Sequence, residues 1–316
     1  MNYKDFGLVN TKILFANALR GGYAIPAFNF FNMETLRAIM DAHNETQSPI
    51  ILAVSESAIK YMGGDLLMGM IRGCGLTPAN NIALHLDHGN SVESCKNAID
   101  LGFSSVMIDA SNLPLDENIK LTKQVVEYAK KFDVSVEAEL GTLAGIEDEN
   151  TQSDINIYTN PNDVVKFVNA TNIDSLAVAV GTSHGAYKRK NDGEELRFDI
   201  LAQIAKLLPE FPLVLHGASS IPQNLVKTIN EFGGKIADAR GIPSEQLQRA
   251  VSMNVCKINV DSDARLAFTA AIRQNLSDAP SNFDPRKYLG AAIHEMKKTY
   301  IDEIRDIMGS DAKIIK

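Results

Sequence analysis

The stretch 213-LVLHGASSIPQNLVKTINEFG-233 holds one complete structural unit. Leu213, Val214 and Leu215 form a short apolar run, and His216 and Gly217 end it. A run of that length, closed by turn residues, reads as a buried strand. Pro222 then opens an amphipathic segment that stops at Gly233. Proline just inside the start and glycine just past the end is the sequence mark of a helix. The stretch therefore predicts strand, polar turn, helix.

The same alternation runs outward in both directions. Seven further apolar runs stand at 24-AIPAFNF-30, 50-IILAV-54, 82-IALHLD-87, 105-SVMID-109, 134-VSVEAE-139, 175-SLAVAV-180 and 255-VCKINV-260. The segments between them read as helices. In 115-LDENIKLTKQVVEYAKKF-132, Leu121, Val125, Tyr128 and Ala129 recur at helical spacing, and Pro161 opens another helix at 161–170. Strands alternating with helices imply βαβ units and a parallel sheet. Eight units in 316 residues favour a closed α/β barrel, a (β/α)8 TIM barrel, over an open sheet. The reading is one domain spanning 1–316, with extended C-terminal helices. The last, 284–308, carries Leu289, Ile293, Met296, Tyr300 and Ile304 on one packing face. Two connections, 140–160 and 181–198, are long and polar, the mark of functional loops.

Composition narrows the function. Lys plus Arg is 31 and Asp plus Glu is 39, a net charge of −8 with the cations scattered. That excludes a general nucleic-acid binder and leaves a local phosphate site open. Three cysteines, Cys74, Cys95 and Cys256, show no C-x-x-C spacing and fit a reducing, cytoplasmic setting. No apolar run approaches the ~18 residues of a membrane span, and the start is too polar for a secretory signal.

Polar residues cluster where the strands end. Asn29, Ser55, Ser57, Asp87, His88, Asp109, Glu139, His184, His216, Asn259, Asp261 and Ser262 all fall at or just after an apolar run. A barrel gathers those ends on one face. Polar turns alone explain the Asn, Ser and Asp. They do not explain why three of the six histidines sit there, in LDHG, GTSHG and LHGAS. Three imidazoles at one rim with an open fourth position suit catalytic zinc. His43 and His294 fall in helical stretches as surface or packing residues, and His85 lies within a strand as a supporting partner. The N–H groups and Ser219 hydroxyl in 216-HGASSIP-222, and the segment 259-NVDSDAR-265, each precede a helix and form a candidate phosphate cradle. Helix capping by Ser219 and Asp261 is the plainer alternative.

LDHG, 137-EAELGTLAGIED-148, GTSHGAYK, LHGAS and KINVDSDAR occur together and in this order, from IPAFNF to about Phe268. In this the chain resembles the class II, zinc-dependent fructose-1,6-bisphosphate aldolases, and most closely their class IIB branch. The resemblance implies zinc held by His88, His184 and His216, with Asp109 and Glu139 at a second, alternative metal position. It implies Asp87 as the residue that moves the C4 hydroxyl proton, and Glu147 as a loop carboxylate that moves the C1 proton of dihydroxyacetone phosphate. Gly185, Lys188, Gly217, Ser219, Asn259, Asp261 and Ser262 match the site of the dihydroxyacetone phosphate half. Ser55 and Arg265 match contacts to the far half, and Asn29 joins the substrate-binding set. The implied partner is a phosphorylated sugar, and the implied assembly a homodimer or larger homo-oligomer. A monovalent cation is left open as a second cofactor.

The chemistry agrees with the resemblance. Breaking the C3–C4 bond leaves negative charge that zinc can take up without proton transfer. The alternative sink is a Schiff-base lysine. Among the strand runs only 255–260 carries a lysine, Lys257, away from the polar rim. A tagatose-1,6-bisphosphate aldolase is the nearest rival, and Arg265 after the Asp-Ser-Asp run favours the fructose enzyme. A metal-dependent hydrolase would carry H-x-H on the first strand, which 24–30 lacks. A non-catalytic scaffold has no need of Asp87 and Glu147.

Overall fold

The computed structural model describes residues 1–143, 157–185 and 195–315, and the backbone of 146–147 and 150–151. Eight parallel strands close into a barrel: β1 (Ile25–Asn29), β2 (Ile50–Ser55), β3 (Ile82–Gly89), β4 (Ser105–Ile108), β5 (Ser135–Leu140), β8 (Ser175–Val178), β9 (Leu213–Leu215) and β10 (Val255–Val260). Each pairs with its neighbours in the chain, and β1 pairs with β10 to close the ring. All eight expected strands are present, and the TIM barrel is the fold of this chain. Within the long connection after β5, a short antiparallel pair, β6 (Ile146–Glu147) and β7 (Asn150–Thr151), stands where only loop was expected.

The strands are buried on both faces, but the faces differ. Leu52, Val54, Leu84, Leu86, Val106, Ile108, Leu213, Leu215 and Ile258 belong to the large apolar cluster against the outer helices. Their alternates belong to small separate clusters that include Ala27, Ala53, Ala83 and Ala177, or are polar. Period-two alternation thus sends one set of apolar residues outward to the helices and a mixture of alanines, a few larger apolar residues and charged groups inward. Leu14, Phe15 and Ala18 of α1 (Thr11–Gly21) pack into the inner cluster with Ile25, Ile51 and Cys256. That helix stops the end of the barrel where the strands begin, so the opposite rim is left for chemistry.

The helix after β9 is α9 (Gln223–Glu231), with Pro222 as its N-cap rather than its first residue. After β10 come α11 (Ser262–Asp278) and α12 (Pro285–Asp302). The helix expected over 284–308 is present from Pro285, and its last turns, Glu303–Met308, change from α to π geometry. Met296, Tyr300 and Ile304 of the expected stripe are fully buried, and Tyr300 packs on Phe28 with ring centroids 4.3 Å apart. Among the described residues no helix is long and apolar enough to cross a membrane. The three cysteines are unpaired thiols.

Candidate active site at the C-terminal rim

Closure of the barrel brings His88, His184 and His216 together. One ring nitrogen of each lies within 4.8 Å of the other two. His88 sits at the end of β3 with φ +47, a left-handed backbone uncommon outside glycine. Its Nδ1 is 2.8 Å from Asp109 Oδ2, just past β4. His216 follows β9, and its Nε2 is 2.7 Å from Glu137 Oε1 on β5. A carboxylate only accepts, so both of those nitrogens carry the proton. The remaining nitrogens, His88 Nε2 and His216 Nδ1, are then bare lone pairs, and they face each other at 2.9 Å. Two lone pairs so placed repel unless a cation lies against both. With the third imidazole alongside, this donor set fits a divalent metal. Burial, then the neighbouring His88 and Lys257, holds His216 well below the usual histidine range, in the neutral form that ligates. His88, Asp109 and Glu139 form a second group with the same spread of ligand atoms.

Asp87 is fully buried beside this cluster. Asn259 Nδ2 donates to its Oδ1 and Asn29 Nδ2 to its Oδ2, both at 2.8 Å. Oδ1 is also 3.8 Å from His216 Nδ1. Burial pushes this carboxyl up, but His88, His216, Lys257 and the Asn29 amide outweigh it and hold it at about 2. Asp87 is therefore an oriented carboxylate, next in sequence to His88 of the three-histidine cluster.

A cavity of about 330 Å³ opens next to the cluster. Of the expected substrate set, Asn29, Gly185, Gly217, Ser219, Asn259, Asp261, Ser262 and Arg265 line it, together with His184. Gly217 has φ +60, and a Cβ there would stand 2.5 Å from the Ser183 carbonyl oxygen. Only glycine lets those two backbones meet.

Several of the expected residues have partners within the protein. Ser55 pairs in register with Asp87, yet its hydroxyl caps α3 (Glu56–Met62), accepting from Ala58 N at 3.3 Å. Arg265 donates from Nε to both oxygens of Asp261 at 2.8 Å, and its guanidinium lies 4.9 Å from the Phe31 ring centroid. Neither Ser219 nor Asp261 caps a helix by side-chain hydrogen bond. The N–H groups of Ser220 and Ile221, expected to face an anion, donate instead to Asp263. Of the other histidines, His43 is buried with Nδ1 on the Ser48 carbonyl, and His85 is buried with Nδ1 on Ser105 Oγ. Lys188 and the Glu147 side chain lie outside the described residues.

Two site residues escaped the sequence reading. Glu137 holds His216, and Lys257 Nζ holds Glu137, at 3.0 and 2.9 Å to its two oxygens and 3.1 Å from His85 Nε2. All three are fully buried. The signal was spacing: Glu137 is two residues before Glu139, and Lys257 two before Asn259, so each shares the inward face with a rim residue.

The family model described as fructose-bisphosphate aldolase class-II matches residues 9–313. The chain belongs to the class II fructose-bisphosphate aldolase family. Among its relatives in this family, a fructose-bisphosphate aldolase of Treponema pallidum is 51% identical over 98% of each chain. One of Giardia intestinalis is 46% identical over 94% of this chain and 92% of the other. The crystal structure of the YdjI aldolase from Escherichia coli K12 superposes with a TM-score of 0.78 at 28% identity, covering 98% of this chain and 100% of that one. Membership makes the chain an aldehyde-lyase of metal-dependent type.

Proposed function

We propose that this chain, acting as one domain over 1–316, reversibly cleaves fructose 1,6-bisphosphate to dihydroxyacetone phosphate and glyceraldehyde 3-phosphate. The observation that carries this is Asp87: a buried, doubly anchored carboxylate 3.8 Å from a nitrogen of the three-histidine cluster. Zinc held by His88, His184 and His216 would supply a Lewis-acid sink for the charge left when C3–C4 breaks; Asp109 and Glu139 offer it an alternative position.

Asp87 removes the C4 hydroxyl proton in cleavage and returns it in condensation, within reach because the two amides fix its direction. Glu147, on the loop after β5, exchanges the C1 proton of the dihydroxyacetone phosphate half. Asn259 and Asn29 serve twice, orienting Asp87 and lining the cavity. Gly185, Lys188, Gly217, Ser219, Asp261 and Ser262 receive the dihydroxyacetone phosphate half. Ser55 and Arg265 face the other phosphate, for which a guanidinium offers paired donors. The Schiff-base route finds no support at Lys257, which is fully buried and ion-paired to Glu137. We place the enzyme in the cytoplasm, as a homodimer or larger homo-oligomer.

The test is kcat/KM for fructose and tagatose 1,6-bisphosphate on purified protein, before and after chelation and after added zinc or cobalt. The expected result is loss on chelation, recovery on metal, and preference for the fructose isomer. Full activity after exhaustive chelation, or borohydride trapping of substrate on a lysine, would sink the metal assignment.

A further inference from the structure

Asp263, the second aspartate of 259-NVDSDAR-265, points away from the cavity that its neighbours line. It is fully buried in the first turn of α11. Three donors converge on it. Ser220 N reaches Oδ2 at 2.7 Å, Ser220 Oγ reaches Oδ2 at 3.0 Å, and Ile221 N reaches Oδ1 at 2.7 Å. These donors belong to the loop whose Gly217 and Ser219 line the cavity, while Asp261, Ser262 and Arg265 line it from the start of α11. One carboxylate therefore ties together two segments of the cavity wall.

The loop needs tying. Ile221 has φ +53, a left-handed backbone that a β-branched residue adopts only when its surroundings impose it. Its other side is pinned as well: Ile242 N donates to Ser219 O at 3.1 Å, and a Cβ on Gly241 would stand 2.1 Å from Ser220 backbone atoms. The remaining partner comes from the far end of the chain. Glu303, at the start of the π-helical turn, is 4% exposed, and its Oε1 is 3.3 Å from Ser220 Oγ. Burial, and then the neighbouring Asp263 charge, pushes its carboxyl well above the usual range. Ser220 Oγ has one proton to give, so with that proton on Asp263 a protonated Glu303 can donate to Ser220 Oγ and hold the hydroxyl in place.

We propose that Asp263, supported by Glu303, is the positioning residue for the sugar-phosphate wall of the cavity, holding the Gly217–Ile221 loop against the first turn of α11. It touches no substrate; it acts through Ser220 and Ile221. The proposal deepens the functional reading above and rests on it. It also accounts for the C-terminal π-turn, since that turn delivers Glu303 to the site's outer side.

The test uses zinc-loaded protein. Dissociation constants for dihydroxyacetone phosphate are measured by calorimetry, with KM and kcat for fructose 1,6-bisphosphate and Tm without ligand. Asp263→Asn turns one acceptor into a donor facing an N–H group. It is expected to weaken dihydroxyacetone phosphate binding and raise KM by roughly tenfold, the scale of one lost charge-assisted hydrogen bond, with kcat within about threefold. Glu303→Leu removes the donor and moves Kd the same way. Glu303→Gln keeps a donor and restores Kd to within about threefold of the parent. If Asp263→Asn does not fold, the two Glu303 variants and Ser220→Ala, expected to weaken binding about threefold, decide. A lowered Tm with Kd unmoved in the folded variants makes Asp263 merely structural and overturns the proposal. A parent protein that binds no dihydroxyacetone phosphate overturns the functional reading and this one with it. A parent that binds, with variants that bind equally, overturns this one alone.

Discussion

His88 Nε2 and His216 Nδ1 face each other across 2.9 Å, on rings whose other nitrogens are held by Asp109 and Glu137. The two carboxylates dictate which tautomer each ring takes, and so aim two lone pairs at one point.

Replacing Glu137 with glutamine therefore loosens the centre without touching a ligand. The amide no longer demands a proton on His216 Nε2, and the ring can turn its lone pair away. Metal affinity is expected to fall by ~10–100-fold, the usual effect of removing such a partner. Titration of chelated protein with Co2+, followed by visible absorption, measures it. An unchanged dissociation constant would show that Glu137 does not orient His216.

Asp87→Asn is expected to keep the metal and lose turnover. Proton transfer by a placed carboxylate contributes ~10²–10⁴-fold, so kcat for aldol cleavage should fall by about that factor. Metal content by elemental analysis should stay at the parent level. Loss of metal instead would make Asp87 a structural support of the cluster.

Lys257 and Glu137 form an ion pair inside the barrel, with neither side chain exposed. Removing one partner leaves the other charge buried. Lys257→Met is expected to destabilise the fold by ~3–5 kcal/mol. Lys257→Met combined with Glu137→Gln should recover part of that loss, because no bare charge remains. Urea unfolding of parent, single and double variants gives the comparison; a double variant less stable than Lys257→Met contradicts it.

Glu303 predicts a pH dependence. Its folded carboxyl titrates well above 4.5, its ordinary value, because it is buried beside Asp263. The folded protein keeps a proton that the unfolded chain has released, so this group's contribution is full below about 4.5 and declines as pH rises through the folded value. Glu303→Gln lacks that term. The two proteins should unfold alike near pH 4, and the variant should gain on the parent toward pH 8. A gap independent of pH in urea unfolding would show that Glu303 is ionised in the fold.

Much of this was legible from the sequence because it is local. Each barrel strand is a short apolar run with a turn at its end, and several helices start at a proline or stop at a glycine, as at Pro161 and Gly102. Polar residues at strand ends stand out against such runs, so His88, His184, His216 and Asp87 were identifiable one motif at a time. Gly185 and Gly217, which line the cavity, announced themselves in the same way. Glu137 and Lys257 did not, because inside a run a single charge looks like an interruption. Only a closed barrel, whose inner face is lined by alternate residues, makes that charge a partner for another strand.

The amino-acid sequence by itself determined the eight barrel strands, their parallel closure, and which polar residues stand at the rim, since these follow from periodicity and end signals along a few neighbouring positions. Tertiary structure alone decided the pairings. That His88 meets His216 across 128 positions, that Lys257 reaches Glu137 across 120, and that Glu303 reaches back to Ser220 depends on where the closed ring and the C-terminal helices place them. The physical reason is that propensity and capping act over one or two turns of chain. Hydrogen bonds between buried polar groups are settled only when burial removes water and leaves each group the partners that the fold has brought within reach.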